Sequence, residues 1–146
     1  MLKPLCFPDH APILIAEDEP FIALDLAATV QDAGGSAVGP AATVEEALAL
    51  LDARPVAAAI LDVNLNDRDI GPVAELLIAR GVPILFHTAV GLSDELSARF
   101  RDVVVHLKPS RPEHIVRQLA AMIEPKPQIA IGGANEIAAV RRVKQA

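Results

Sequence analysis

Apolar residues in this chain come in short blocks separated by amphipathic stretches. Ile13-Leu14-Ile15-Ala16 and Val56-Ala57-Ala58-Ala59-Ile60-Leu61 run without a polar break. Apolar runs this short predict strands covered on both faces, the state of central strands in a parallel sheet. The same reading assigns strands to about 12–16, Ser36 to Gly39 (closed by Pro40), 56 to Asp62, Val82 to His87, and Val103 to Leu107.

The intervening stretches carry helical signals. Pro20 suits a first helical turn, Leu24, Leu26, Ala27 and Val30 follow, and Gly34-Gly35 stops the helix. Thr43 and Glu46 have capping-box spacing ahead of Val44, Ala47, Leu48 and Leu51, and Arg54-Pro55 ends that helix. A third helix follows Gly71-Pro72 and stops at Gly81. Ser93 is the expected N-cap of a fourth, with Asp94 and Glu95 in its first turn. Ser110 and Glu113 have the spacing of a second capping box. It opens a fifth helix whose buried stripe is Ile115, Leu119, Met122 and Ile123, ended by Pro125. Five strands alternating with five helices predict an α/β, doubly wound parallel sheet with right-handed crossovers. Acidic groups after the first and third strands fit the order 2-1-3-4-5, whose switch point lies between those two strands.

Composition narrows the function. The 146 residues are enough for one domain, 52% are hydrophobic, and none of the apolar runs reaches the length of a bilayer span. The N-terminus has Lys3 but no secretory pattern, and Cys6 is the only cysteine. A cytoplasmic protein without disulfides is therefore expected. The net charge of −6 is uneven: residues 1–124 carry −9, and residues 125–146 carry +3. An acidic body with 3% aromatic residues argues against nucleic-acid binding. Residues 1–10 read as an N-terminal extension, 11–124 as the domain, and 125–146 as a basic tail, flexible or a short helix.

The candidate chemistry gathers at strand ends. Glu17 and Asp18 follow the first strand, Asp62 ends the third, Thr88 follows the fourth and Lys108 the fifth. Singly, each also fits a cap, a turn or a solvated side chain. Together they place carboxylates, a hydroxyl and an ammonium at the carboxyl edge of one sheet, where open α/β sheets bind ligands. Such a set suits phosphoryl transfer. A carboxylate serves as a nucleophile toward phosphorus, and Mg²⁺ takes hard oxygens, commonly one or two carboxylates and a phosphate. Asp62 is the expected nucleophile. Glu17, Asp18, Asp62 and the carbonyl of Asn64 are the expected Mg²⁺ ligands. Lys108 would neutralise phosphoryl charge, and Thr88 would donate its hydroxyl to a phosphoryl oxygen. No Walker A sequence, G-x-G-x-x-G or Ser-His-Asp set is visible.

These motifs resemble the receiver domain of two-component response regulators. The residues are Ile13 to Pro20, Ile60-Leu61-Asp62-Val63-Asn64-Leu65, Thr88-Ala89 and Lys108-Pro109, and the likeness covers about residues 11–124. It implies a flavodoxin-like fold. It also implies a sensor histidine kinase or histidine phosphotransfer protein as phosphodonor to Asp62, and a domain that catalyses only its own phosphorylation and dephosphorylation. A cis Lys108-Pro109 bond is implied too. Asp62 to Leu65 with Pro72-Val73-Ala74 is similar to stand-alone receivers of alphaproteobacterial type, which act through protein contact or phosphorelay. The face of the fourth helix, fifth strand and fifth helix is the implied surface for a downstream partner or a homodimer.

Two departures stand out. A subgroup carries Phe-Ala-Thr-Gly-hydrophobic-Tyr after the fourth strand, where this chain has Phe86-His87-Thr88-Ala89-Val90-Gly91. Receivers also place an aromatic residue three positions before the lysine, coupled to the Thr88 position; here it is Val105, with no ring to swing. Strand alternation puts His106 on the opposite face from Val105; His87, beside Thr88, could modulate the site, but a surface or partly buried structural residue is the favoured reading of both. The departures motivate an alternative, a pseudo-receiver that binds partners without phosphorylation. An aspartate-nucleophile phosphatase is a weaker one, because Asn64 stands where those enzymes place a second Asp.

Overall fold

In the computed structural model, residues 6–123 are described. The expected basic tail lies outside them. In chain order the elements are β1 (Pro12–Ala16), α1 (Pro20–Asp32), β2 (Ser36–Ala41), α2 (Val44–Ala53), β3 (Ala58–Asp62), α3 (Gly71–Ala79), β4 (Ile84–Thr88), α4 (Asp94–Arg99), β5 (Val104–Leu107) and α5 (Pro112–Met122). The strands form one five-stranded parallel sheet, as the alternation predicts, in the order β2-β1-β3-β4-β5 that the acidic ends of the first and third strands fit. Among the described residues no helix is long and apolar enough to cross a membrane.

Side chains leave the strands on alternate faces and build two cores. Ile13, Ile15, Ala58, Ile60 and Leu85 pack beneath α1 and α5, against Leu26, Val30, Ile115 and Leu119. Leu14, Ala16, Ala59, Leu61 and Phe86 pack on the other face, beneath α2, α3 and the short α4. Phe86 meets Phe100 edge-to-face with centroids 5.7 Å apart, and Arg99 lies 5.1 Å from the Phe100 ring centre. These contacts anchor the six residues of α4, which are too few to hold a helix by propensity.

Several boundaries differ from expectation for local reasons. β2 continues through Gly39-Pro40 to Ala41, with a cis bond at that proline. An edge strand tolerates proline because the missing N–H faces no partner. Gly39 has φ +99°, and a Cβ there would lie 2.9 Å from Ile15 O, so only glycine fits. β4 starts at Ile84 rather than Val82: Pro83 has no N–H and offers only its carbonyl, to Ala59 N at 3.1 Å. It runs on to Thr88, which pairs with Leu107 of β5. β5 starts one residue later than expected, because Val103 N closes a turn onto Phe100 O.

Of the two expected capping boxes, one forms with a change and one does not form. Thr43 Oγ1 accepts from Glu46 N at 3.0 Å, but Glu46 Oε1 accepts from Ala42 N at 2.7 Å instead of returning to Thr43. Asp67, from the loop after β3, adds a second cap: its carboxylate accepts from Val44 N and Glu45 N. Those backbone donors hold its carboxyl below the usual carboxylate range. Ser110 caps nothing. It donates its hydroxyl to Leu107 O, and α5 opens on Pro112 with Arg111 at the N-cap.

The segment before β1 also joins the core. Phe7 is buried, and its N–H donates to Ala33 O at 2.9 Å. Gly35 leaves room for it: a Cβ there would stand 2.8 Å from Phe7 Cδ2 and 3.3 Å from Ala11 O. Gly35→Ala is therefore expected to destabilise the protein by about 1–3 kcal/mol through overpacking. Phe7→Leu in the same chain should recover part of the loss. Urea unfolding of both variants checks this; an unchanged midpoint for Gly35→Ala would contradict the packing.

Candidate metal and phosphoryl site

The strand ends carry the sheet's alternation into polar residues. Glu17 follows Ile15 at two-residue spacing, Asp62 follows Ile60, and His87 follows Leu85, so all three continue the α1/α5 face. Glu17, Asp62, His87 and Thr88 are the four buried polar or charged residues among those described. Each belongs to one of the three central strands or directly follows it.

Lys108, half-buried just past β5, reaches back across this edge. Its Nζ donates to Glu17 Oε2 at 3.1 Å, Glu19 Oε2 at 3.1 Å and Asp62 Oδ2 at 3.2 Å. The Lys108–Pro109 bond is cis, as the resemblance implies. Lys108 N donates to Thr88 O at 2.8 Å, which ties the lysine's backbone to β4. Asp62 Oδ1 accepts from Asn64 N at 3.3 Å. Thr88 Oγ1 accepts from Val90 N at 3.4 Å. An open cleft of about 420 Å³ lies over these groups, lined by Asp18, Asp62, Asn64, Thr88 and Lys108 among others.

The charges do not balance. Glu17, Asp18, Glu19 and Asp62 crowd a single ammonium. Burial, then the charge of Asp62, pushes the Glu17 carboxyl up to about 7, and its hydrogen bonds to Glu19 N and Lys108 offset this only in part. The same two causes raise Asp18. Burial alone would lower Lys108, but the hydrogen bonds it donates to Glu19 and Glu17 and the charge of Asp62 outweigh it and hold the ammonium above its ordinary value. Both directions follow from one excess of carboxylates over bases.

A divalent cation would remove that excess, and the donors fit one. Glu17, Asp18 and Asp62 each offer a carboxylate oxygen within 4.8 Å of the others. Glu17 Oε1 is buried without a hydrogen-bond partner. Hard oxygens in this number suit Mg²⁺ held by carboxylates and a phosphate.

The structure thus brings Glu17, Asp18, Asp62, Asn64, Thr88 and Lys108 to one cleft. Val105 lies apart, paired with Phe86 on β5 and partly exposed. His106 is on the other face, as alternation requires, with its Nε2 against Gln118 Oε1 of α5. Two residues were missed or misplaced by sequence reasoning. Glu19 had no assigned role, yet it holds Lys108. His87 is fully buried, not a surface or partly buried residue: its Nδ1 lies 3.9 Å from Glu17 Oε1, and neither ring nitrogen has a hydrogen-bond partner. Burial, then the charge of Lys108, pulls its pKa down to about 4, so the ring is neutral. The two-residue step from Leu85 was the signal that could have placed it inside.

Comparison with known proteins identifies the family. No family model matches the chain. It is 35% identical over 106 residues to the phyllosphere-induced regulator PhyR of Methylorubrum extorquens, covering 70% of this chain and 40% of that protein. The chain spans less than half the length of the curated relatives it matches, 40–44%. The solution structure of SdrG from Sphingomonas melonis Fr1 is 41% identical with a TM-score of 0.66, covering 78% of this chain and 97% of SdrG. The PhyR response regulator REC domain of Erythrobacter litoralis is 26% identical with a TM-score of 0.66, covering 82% of this chain and 96% of that one. With its flavodoxin-like topology and the acidic cluster at its carboxyl edge, the chain belongs to the receiver domains of two-component response regulators.

Proposed function

We propose that this receiver accepts a phosphoryl group on Asp62 from a sensor histidine kinase or histidine phosphotransfer protein, in a Mg²⁺-dependent reaction. The observation that supports it most is the convergence of Lys108 Nζ on Glu17 and Asp62 at 3.1–3.2 Å beneath an open cleft. A carboxylate oxygen of Asp62 attacks phosphorus, the new O–P bond forms, and the N–P bond of the donor phosphohistidine breaks, leaving imidazole. Lys108 turns from Asp62 to the incoming phosphoryl oxygens. Thr88, buried at the end of β4, exchanges its local backbone contacts for a hydrogen bond to one of those oxygens. Glu17, Asp18, Asp62 and the Asn64 carbonyl would hold Mg²⁺, which would supply neutralisation of charge on the transferred group.

Output in this reading is protein contact or phosphate relay rather than DNA binding, in keeping with the −9 balance of residues 1–124. Val105 and Leu107 of β5 are apolar and exposed, which favours the α4–β5–α5 face as the partner or dimer surface. Val105 carries no ring, so Thr88 has no aromatic neighbour there to couple to; the switch would run through the backbone bond from Lys108 N to Thr88 O. A domain that ends near 124 and takes in Phe7 of the expected extension is part of the same proposal, as is a cytoplasmic setting.

Incubation with acetyl phosphate and Mg²⁺ is expected to add one phosphoryl group by intact mass, and none in Asp62→Asn. Undiminished labelling of that variant would rule out Asp62 as acceptor. Asp18→Asn should weaken Mg²⁺ binding at least about tenfold, measured by calorimetry. Equal affinity would favour the pseudo-receiver.

The charge excess also sets a pH dependence. Between the ordinary glutamate value of 4.5 and about 7, folded metal-free protein keeps a proton on Glu17 that the unfolded chain has lost. Stability in EDTA should therefore fall as pH rises through that window, by roughly 1–3 kcal/mol. Glu17→Gln should flatten the slope. Denaturant titrations at several pH values check it, and a slope unchanged in Glu17→Gln would assign the effect elsewhere.

A further inference from the structure

Glu17 Oε1 and both ring nitrogens of His87 are the buried side-chain polar atoms without a hydrogen-bond partner among the described residues. Buried polar atoms are nearly always satisfied, because an orphan forfeits its hydration for nothing. Two of these three lie near each other. His87 Nδ1 lies 3.9 Å from Glu17 Oε1, about an ångström longer than a typical N–H···O hydrogen bond.

Other partners nearby are engaged. In strand register His87 lies between Asp62 and His106. Asp62 gives its oxygens to Asn64 N and Lys108 Nζ, and His106 meets Gln118. Ser110, across a small cavity that His87 also lines, donates to Leu107 O. The Glu17 carboxylate is held by its other oxygen, Oε2, which accepts from Lys108 Nζ and Glu19 N.

We propose that His87 is a positioning residue: its Nδ1–H donates to Glu17 Oε1 and holds that carboxylate for the cation once Lys108 lets go. The inference rests on the cation-binding reading above. A neutral imidazole has one N–H, so the role requires the Nδ1–H tautomer. Donors behind metal-ligating groups orient them, and losing one typically costs 10–100-fold in affinity. His87 takes no part in bond making and touches no phosphoryl group in this scheme.

The test is a set of substitutions read by Mg²⁺ calorimetry, with ¹⁵N spectroscopy of the His87 ring in wild-type protein. His87→Asn places an amide N–H near the position of Nδ1 and should bind Mg²⁺ within about threefold of wild type. His87→Leu keeps the bulk without a donor and should lose about tenfold or more. His87→Gln reaches toward the Nε2 position and should not rescue. Wild-type affinity in His87→Leu, or equal rescue by Gln and Asn, would overturn the proposal. So would an Nε2–H ring in Mg²⁺-loaded wild-type protein, a measurement that holds even where a variant fails to fold. If wild type binds no Mg²⁺, the cation reading fails first. The ring tautomer of metal-free Lys108→Met, in which the lysine no longer holds Glu17, then decides the pairing separately: Nδ1–H supports it and Nε2–H overturns it.

Discussion

One ammonium set among four carboxylates is the constraint from which the rest of this molecule can be understood. Lys108 Nζ pairs with Glu17, Glu19 and Asp62 at once, and Asp18 adds to the same field. Charges withdrawn from water are costly unless they are paired and hydrogen-bonded. The pairing here is incomplete by several charges. The raised Glu17 pKa expresses this as a tendency to hold a proton, and in the proposed reading a metal ion would meet the same need. The proposed binding of a cation and then a phosphoryl group depends on such an imbalance, because a fully neutralised set would have nothing to gain.

The fold supplies the imbalance through topology. Parallel strands in the order β2-β1-β3-β4-β5 set the ends of β1, β3, β4 and β5 side by side. Two-residue alternation then extends the apolar faces into Glu17, Asp62 and His87 without a bend in the chain. Large buried side chains on both faces hold these strands, Ile13, Ile15, Ile60, Leu61 and Leu85 among them. The rigid part of the site is therefore the carboxylate part. Lys108 and Thr88 sit toward the side where packing thins: β5 exposes alternate residues, and α4 has one and a half turns secured by Leu96 and Phe100. Regions with few buried apolar contacts open at lower free energy. Lys108 and Thr88, the groups that the proposed phosphorylation would move, lie on that side.

The lack of an aromatic ring at Val105 sharpens this division. A ring that swings between buried and exposed positions would report the state of Thr88 through side-chain packing. Val105 has a stiff side chain and already faces outward. What connects β4 to β5 at this point is backbone: the Thr88–Leu107 register and the bond from Lys108 N to Thr88 O.

Most of the architecture was legible along the chain, because local rules governed it. Unbroken apolar runs marked β1 and β3, Gly34-Gly35 ended α1, Thr43 and Ser93 capped their helices, and residues at successive strand ends had to share one edge. What the chain could not show were choices made between distant residues. Ser110 has good capping spacing, but its hydroxyl goes to Leu107 O. Glu46 reaches Ala42, while Asp67 captures the start of α2 from more than twenty residues away. Glu19 has no role legible along the chain, and only the fold brings Lys108 across from β5 to meet it. His87 looked peripheral until β3 and β5 closed on either side of it and Glu17 was left facing it. Spacing determines where a residue stands on its own element. Which partner satisfies it, and how far its charge is shifted, depends on what the other strands bring within a few ångströms.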